Sequence, residues 1–349
     1  MNAQLKAALD PLPTGRFDLE LVVDDGPSMV LWQQVVTEWR ALLEQHGAFR
    51  TVRVWRLTTN AREWAQLYAD STRRSDHPYD PKELVDPSGA RLILVMTDCV
   101  SPAWHSGKVP ALLDVWGHHN LVSLLQVFPR RLWEQTVLAN ADFIEIVALS
   151  HHVSNSQLKT RALGFSEGED GLAYPVVTLE YRSLYNWACM ITGAVCTWIP
   201  GILFASLKDV ERDVTSSVSQ YAPPSPKSCV QLFHGHASLA SRKLMELLAA
   251  VPIPINLAVI QHIQSTMVPE ARLVHIAEVL LSGLLEQIDR DPGDNDCKTI
   301  EYDFVVGVRE ELLNAVTIPT AYQVQREISL LVQRQKEIAK VLPDTSDSC

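Results

Sequence analysis

Two strings limit the fold more than any other feature. Residues 17–25 (FDLELVVDD) read as a strand with a continuous apolar end, Leu21-Val22-Val23, before two aspartates, and 91–99 (RLILVMTDC) hold an apolar run that leads into Asp98. A strand that is apolar at successive positions is buried on both faces. That pattern belongs to a parallel sheet covered by helices, rather than to a sheet with one wet face. Between and after these runs the signal alternates. Residues 29–46 place Leu31, Val35, Trp39, Leu42 and Leu43 at helical spacing, with Gly47 as the stop. Residues 49–57 (FRTVRVWRL) read as a half-solvated strand, 60–72 as a helix, 108–119 as a helix, 121–128 (LVSLLQVF) as a buried strand and 176–179 as another. The expectation is an α/β, Rossmann-like, mostly parallel sheet with helices on both faces.

Such sheets bind ligands at the carboxyl ends of their strands. Asp24-Asp25 and Thr97-Asp98 both fall at that edge, which makes it the first place to look for function.

From Ser183 to Leu207 no residue is charged, close to the roughly 20 residues of a membrane span. Pro200-Gly201 interrupts the run, and Asn186, Thr192 and Thr197 lie inside it. A helix of about four turns followed by a short apolar segment, both buried in a core, is the expected outcome. The mean hydropathy of +0.02 then comes from buried strands and one buried helix. Residues 1–15 lack the apolar stretch of a secretory signal, and the six cysteines form no CxxC pair, so a reducing, cytoplasmic setting is expected.

The Ser/Pro-rich stretch 215–228 reads as a linker, and helical patterns dominate beyond it: 237–250, 256–266, 273–287, 306–316 and 320–341. The division expected is a 1–16 extension, a 17–214 α/β domain, a 215–229 linker, a 230–342 all-helical domain of winged-helix-like or small-bundle type, and a 343–349 tail that reads as a natural end. With a net charge of -11 and no helix carrying clustered Lys or Arg, the helical part is expected to contact protein rather than nucleic acid.

The loop Asp24-Asp25-Gly26-Pro27-Ser28, ahead of a helix, resembles the DxSxS loop of von Willebrand factor A domains. Residues 92–98 (LILVMTD) are similar to that fold's later T-D strand. The longer strings VVDDGPSMVLWQQ, LILVMTDCVSPAWHSGKV, LLQVFPRRLWEQT, HASLASRKLMELLAAVPIP and YDFVVGVREELLNAV resemble a bacterial group of such modules. That group occurs in multidomain conflict-type immunity proteins alongside ATPase, protease or other effector parts.

The resemblance implies a Mg²⁺ at the sheet edge held by hydroxyls and aspartates, here Asp24, Ser28 and Asp98. It departs from the pattern at Gly26, which stands where a serine ligand is usual, and at Cys99, where glycine is usual. The threonine ligand has three candidates: Thr58, Thr59 and Thr72. Asp25, Trp104 and His105 are the expected contacts for a protein partner, an effector or sensor encoded nearby. The function implied is a non-enzymatic scaffold or regulator, with neither membrane nor nucleic acid as its target.

An enzyme reading stands beside it: a divergent hydrolase using Cys99 or the Asp24/Asp98 edge. Asp98-Cys99-Val100-Ser101 resembles the nucleophile strand of caspase-like proteases, and His234-Gly235-His236 their His-Gly turn, in reversed order. That reading needs an imidazole or carboxylate within about 3 Å of the thiol. The adjacent pairs His118-His119 and His151-His152 point different ways and make poor chelates. No glycine loop that cradles phosphate is present.

Overall fold

A computed structural model of the chain describes residues 2–59, 65–70, 77–162, 171–193, 197–204, 225–252, 254–288 and 300–341. The linker 215–224, the acidic loop 289–296, Thr72 and the tail 343–349 lie outside the described residues. Two compact units divide the chain, Met1–Ser219 and Gln220–Cys349.

The first unit is organised on one nine-stranded sheet. Five neighbouring strands are parallel, in the order β2 (Phe49–Thr59), β1 (Phe17–Asp24), β4 (Arg91–Thr97), β5 (Leu121–Gln126) and β8 (Ala173–Thr178). β3 (Ala65–Ala69) adds an antiparallel edge beside β2. β9 (Ile199–Phe204), β6 (Ala141–Val147) and β7 (Lys159–Ala162) extend the other side, all antiparallel. Every residue of β5 is buried, and so is all of β4 except Arg91. This is the consequence of apolar runs without alternation.

The helices are α1 (Asn2–Ala8), α2 (Gln33–His46), the one-turn α3 (Pro102–His105), α4 (Lys108–Gly117) and α5 (Tyr181–Thr192). From β1 through α2 the chain moves to β2 on one side. From β4 through α4 it moves to β5 on the other. Right-handed crossovers in opposite directions put α2 and α4 on opposite faces. The order therefore reverses between β1 and β4, which leaves a crevice at their carboxyl ends.

Several boundaries differ from the sequence reading. The first sixteen residues are not an appendage, since α1 packs on α5 and buries Leu5, Ala8, Leu9 and Leu12. Residues 65–69, expected in a helix, form β3, where Leu67 faces inward and tertiary pairing with β2 overrides local preference. The uncharged run divides as expected, but after only three turns. Gly193 takes φ 62° and ends α5, and Pro200-Gly201 lies in β9 rather than in a loop. A Cβ at Gly193 would fall 2.7 Å from the Ser150 carbonyl carbon, so the position needs glycine for space as well as for φ. No helix among the described residues is long and apolar enough to cross a membrane.

The second unit has helices α6 (Pro226–His236), α7 (Leu239–Ala249), α8 (Leu257–Met267), α9 (Leu273–Leu280), α10 (Val308–Leu313) and α11 (Ile318–Val341). It is not all-helical. β10 (Ile255–Asn256), β12 (Glu301–Phe304) and β11 (Leu285–Ile288) form a small antiparallel sheet in that order. The pattern expected as one helix over 273–287 breaks after Leu280 because Gly283 turns the chain at φ 69° into β11. The expected linker ends earlier than residue 229. Ser225 caps α6 by accepting the Ser228 amide, and Pro226 starts it where its missing N–H leaves nothing unsatisfied. Glu278 is buried and accepts from the Ser238 hydroxyl at 2.7 Å, and the Ser241 hydroxyl also donates to it. It thereby ties α9 to the start of α7.

Candidate functional site

The crevice between β1 and β4 gathers most of the residues singled out in the sequence. Asp24 closes β1, and Asp98 follows the last residue of β4. Both side chains are buried.

Asp24 is fully engaged. Its Oδ1 accepts the Gly26 amide at 3.0 Å and the Thr59 hydroxyl at 3.0 Å. Its Oδ2 accepts the Thr97 hydroxyl at 2.8 Å and the Trp104 indole N–H at 2.8 Å. Gly26 and Trp104 offer N–H groups that can only donate, one to each oxygen. Burial pushes the Asp24 carboxyl up, against the pull of those donors.

Asp98 is differently placed. Its Oδ1 accepts the Val100 amide at 3.1 Å, while Oδ2 is buried with no partner. Burial, then the Asp24 charge, push its carboxyl up to about 7, although the Ser28 hydroxyl pulls the other way. Two buried carboxylates that act on each other do not both ionise readily. The proton of the pair belongs on Asp98, because both Asp24 oxygens face obligatory N–H donors. The Ser101 hydroxyl is a second buried atom without a partner. Gln126, at the end of β5, fixes the loop by donating to the Asp98 carbonyl at 3.1 Å and accepting the Phe128 amide at 3.0 Å.

Of the three threonines considered, Thr59 reaches Asp24. Thr58, one residue earlier on β2, points to the other face of the sheet. Thr97, which the sequence marks only as part of the strand edge, reaches Asp24 from the end of β4, the neighbour of β1. Ser101 lies in the turn beyond β4, and its place beside the site leaves no local signature in the sequence.

Gly26 has φ -62°, and a Cβ there would meet Asp24 Oδ1 and Ser101 Cβ at 3.4 Å and Thr59 Oγ1 at 3.6 Å. These are ordinary contacts, so glycine is not required there. Cys99 is the opposite case, a non-glycine residue at φ 59°. Its amide donates to Thr97 Oγ1 at 2.9 Å and its carbonyl accepts the Val137 amide at 3.1 Å, holding it there. The thiol is wholly buried. Burial and the neighbouring carboxylates raise its pKa, which favours the unreactive thiol over thiolate. His234 and His236 belong to α6, in the second unit.

The three expected partner contacts fare differently. His105 is exposed, and Asp25 is half-exposed with its carboxylate 3.6 Å from the Arg56 guanidinium. Trp104 is not on the surface: it is 1% exposed, with its ring inside and its N–H spent on Asp24. The expectation of a surface aromatic is thereby corrected, since a buried carboxylate needs donors more than the edge needs a contact.

Among the described residues no cluster of three or more His, Cys, Asp or Glu side chains could hold a metal. Asp24 does not fit as a direct ligand, because each oxygen already accepts two donors. Asp98 fits better, together with Ser28, whose hydroxyl hydrogen-bonds to its carboxyl. No known protein family, no curated protein and no solved structure matches the chain.

Proposed function

We propose that the chain is a non-enzymatic protein-binding module of a bacterial conflict system. Its first unit is a von Willebrand A-like domain that engages an effector or sensor through the carboxyl edge of the sheet. The carrying observation is the pair of buried aspartates, Asp24 and Asp98, gathered where the strand order reverses, beneath a rim that His105, Pro102 and Asp25 present to solvent.

If Mg²⁺ binds, Asp98 and Ser28 hold it, assisted by water. Asp24 contributes charge from behind rather than a ligand. The exposed rim at His105, Pro102 and Asp25 then forms the contact surface. For the second unit, the order α7, β10, α8, α9, β11, β12 supports a winged-helix-like domain. The helix that such a domain would insert into DNA, α9, carries no Lys or Arg. A protein contact suits it better. A cytoplasmic location goes with this reading.

Affinity capture from the encoding bacterium tests the proposal, comparing native protein with His105→Glu and Asp98→Ala. A protein retained by the native chain and lost with both variants, whose melting temperatures stay near native, supports the edge. Retention by both variants removes it. Isothermal titration with Mg²⁺ addresses the cation separately. Gly26→Ser, which restores a loop hydroxyl in available space, is expected to strengthen binding by about ten-fold, one good ligand interaction. No change in that variant means the loop is not a cation site.

A further inference from the structure

On the far side of β5 from the Asp24/Asp98 crevice lies a cavity of about 290 Å³, at the carboxyl end of β8. Its floor is apolar, from Val176, Val177, Ile199 and the ring of Trp133. Two arginines line it, Arg130 from the segment after β5 and Arg182 from the first turn of α5.

Arg130 is held by the rings beneath it. Its guanidinium carbon lies 5.4 Å from the Phe143 centroid and 6.0 Å from that of Trp133. Those rings stack at 5.9 Å with 14° between their planes, and the Trp133 indole donates to the Phe128 carbonyl at 2.9 Å. The cation is therefore preorganised before any ligand arrives. Among the described residues neither Arg130 nor Arg182 pairs with a carboxylate, whereas Arg40, Arg50, Arg53, Arg91 and Arg161 each do. Glu180 also lines the cavity and offsets one charge, leaving one net positive.

We infer that this cavity binds a small organic anion, an apolar ring or short chain carrying one carboxylate or phosphate. The apolar floor and the two arginines, unpaired among the described residues, set the two halves of that description. The volume, at the low end of ligand pockets, excludes anything of dinucleotide size. The site is separate from the edge at Asp24 and Asp98 and stands or falls independently of it.

Isothermal titration of the full-length chain with phenyl phosphate and with benzoate tests the inference, against benzyl alcohol, benzylamine and inorganic phosphate. Saturable one-to-one binding is expected for at least one of the two aromatic anions. Benzyl alcohol, benzylamine and inorganic phosphate should each be weaker by about ten-fold or more, because each lacks one half of the recognition. Arg130→Gln and Arg182→Gln should each weaken the aromatic anion by about ten-fold while the melting temperature holds. Arg131→Gln, which removes the same charge from a neighbour outside the cavity, should leave binding unchanged. The inference is overturned by the absence of saturable binding of both aromatic anions, by equal binding of benzyl alcohol, or by an Arg131→Gln loss as large as that of Arg182→Gln.

Discussion

At the scale of the residue, the two buried aspartates have opposite needs. Asp24 has four donors, so removing one exposes a charge to an environment that cannot solvate it. Trp104→Phe keeps the ring and deletes the N–H. It is expected to destabilise the protein by about 1.5–3 kcal/mol, the range for hydrogen bonds to a charged group, as read by chemical denaturation. A change below the error of the method would mean water replaces the indole N–H.

Asp98 predicts a pH dependence. Its folded pKa of about 7 lies above the ordinary 3.8, so the fold favours the protonated form. The associated stability is fully present below about pH 4 and is lost progressively as pH rises through 7. Asp98→Asn mimics the neutral carboxyl. In metal-free buffer its stability advantage over native should grow between pH 5 and pH 8; equal slopes for the two proteins would show that Asp98 is ionised throughout.

At the scale of the element, legibility follows burial. β4 is readable because both its faces are buried and its apolar run is continuous, and β1 because its end, Leu21-Val22-Val23, is apolar without a break. β6 (ADFIEIV) is not, since Asp142, Phe143 and Glu145 keep it half-exposed and it pairs only with distant β9 and β7. β9 shows how tertiary fit imposes a residue with no local reason. A Cβ at Gly201 would meet Ile146 Cδ1 at 1.9 Å and the Tyr174 carbonyl oxygen at 2.9 Å. The isoleucine can move, but the paired β8 backbone cannot. Gly201→Ala is therefore expected to cost about 1–3 kcal/mol of stability, measured by the denaturation midpoint. No loss would mean that β8 and β9 part more easily than their pairing implies.

In the second unit, the buried Glu278 joins α9 to the start of α7 through Ser238 and Ser241. Glu278→Ala leaves those donors without an acceptor. A loss of about 2–4 kcal/mol is expected from thermal unfolding of the full chain, set against a Glu310→Ala control on an exposed helix position.

At the scale of the whole molecule, two cores imply two cooperative units. The first is centred on the parallel strands. The second is built from Leu244, Leu248, Ile260, Ile263, Ile276 and Val308. Residues 1–204 and 225–341, produced separately, should each unfold cooperatively with dispersed amide spectra. Molten behaviour of either piece would show that its core is completed by the other. The net charge of -11 bears on partners at this scale: it disfavours any polyanion as a general target, so the proposed anion pocket depends on the local pair Arg130 and Arg182, which meet no carboxylate within ion-pair distance among the described residues.

Period and composition were enough to foresee a mostly parallel α/β core and an acid at the end of two strands. Those depend on which side chains can be buried together, and burial is written in the order of residues. Only the tertiary structure decided that Trp104 serves Asp24, that Asp98 keeps an unsatisfied oxygen, and that residues 65–69 are a strand. Each of these depends on which atoms distant in the chain come within 3 Å of one another. Hydrogen-bond partners of a buried carboxylate are set by the register between strands and the path of the turn after them, and neither is encoded in any local run of the sequence.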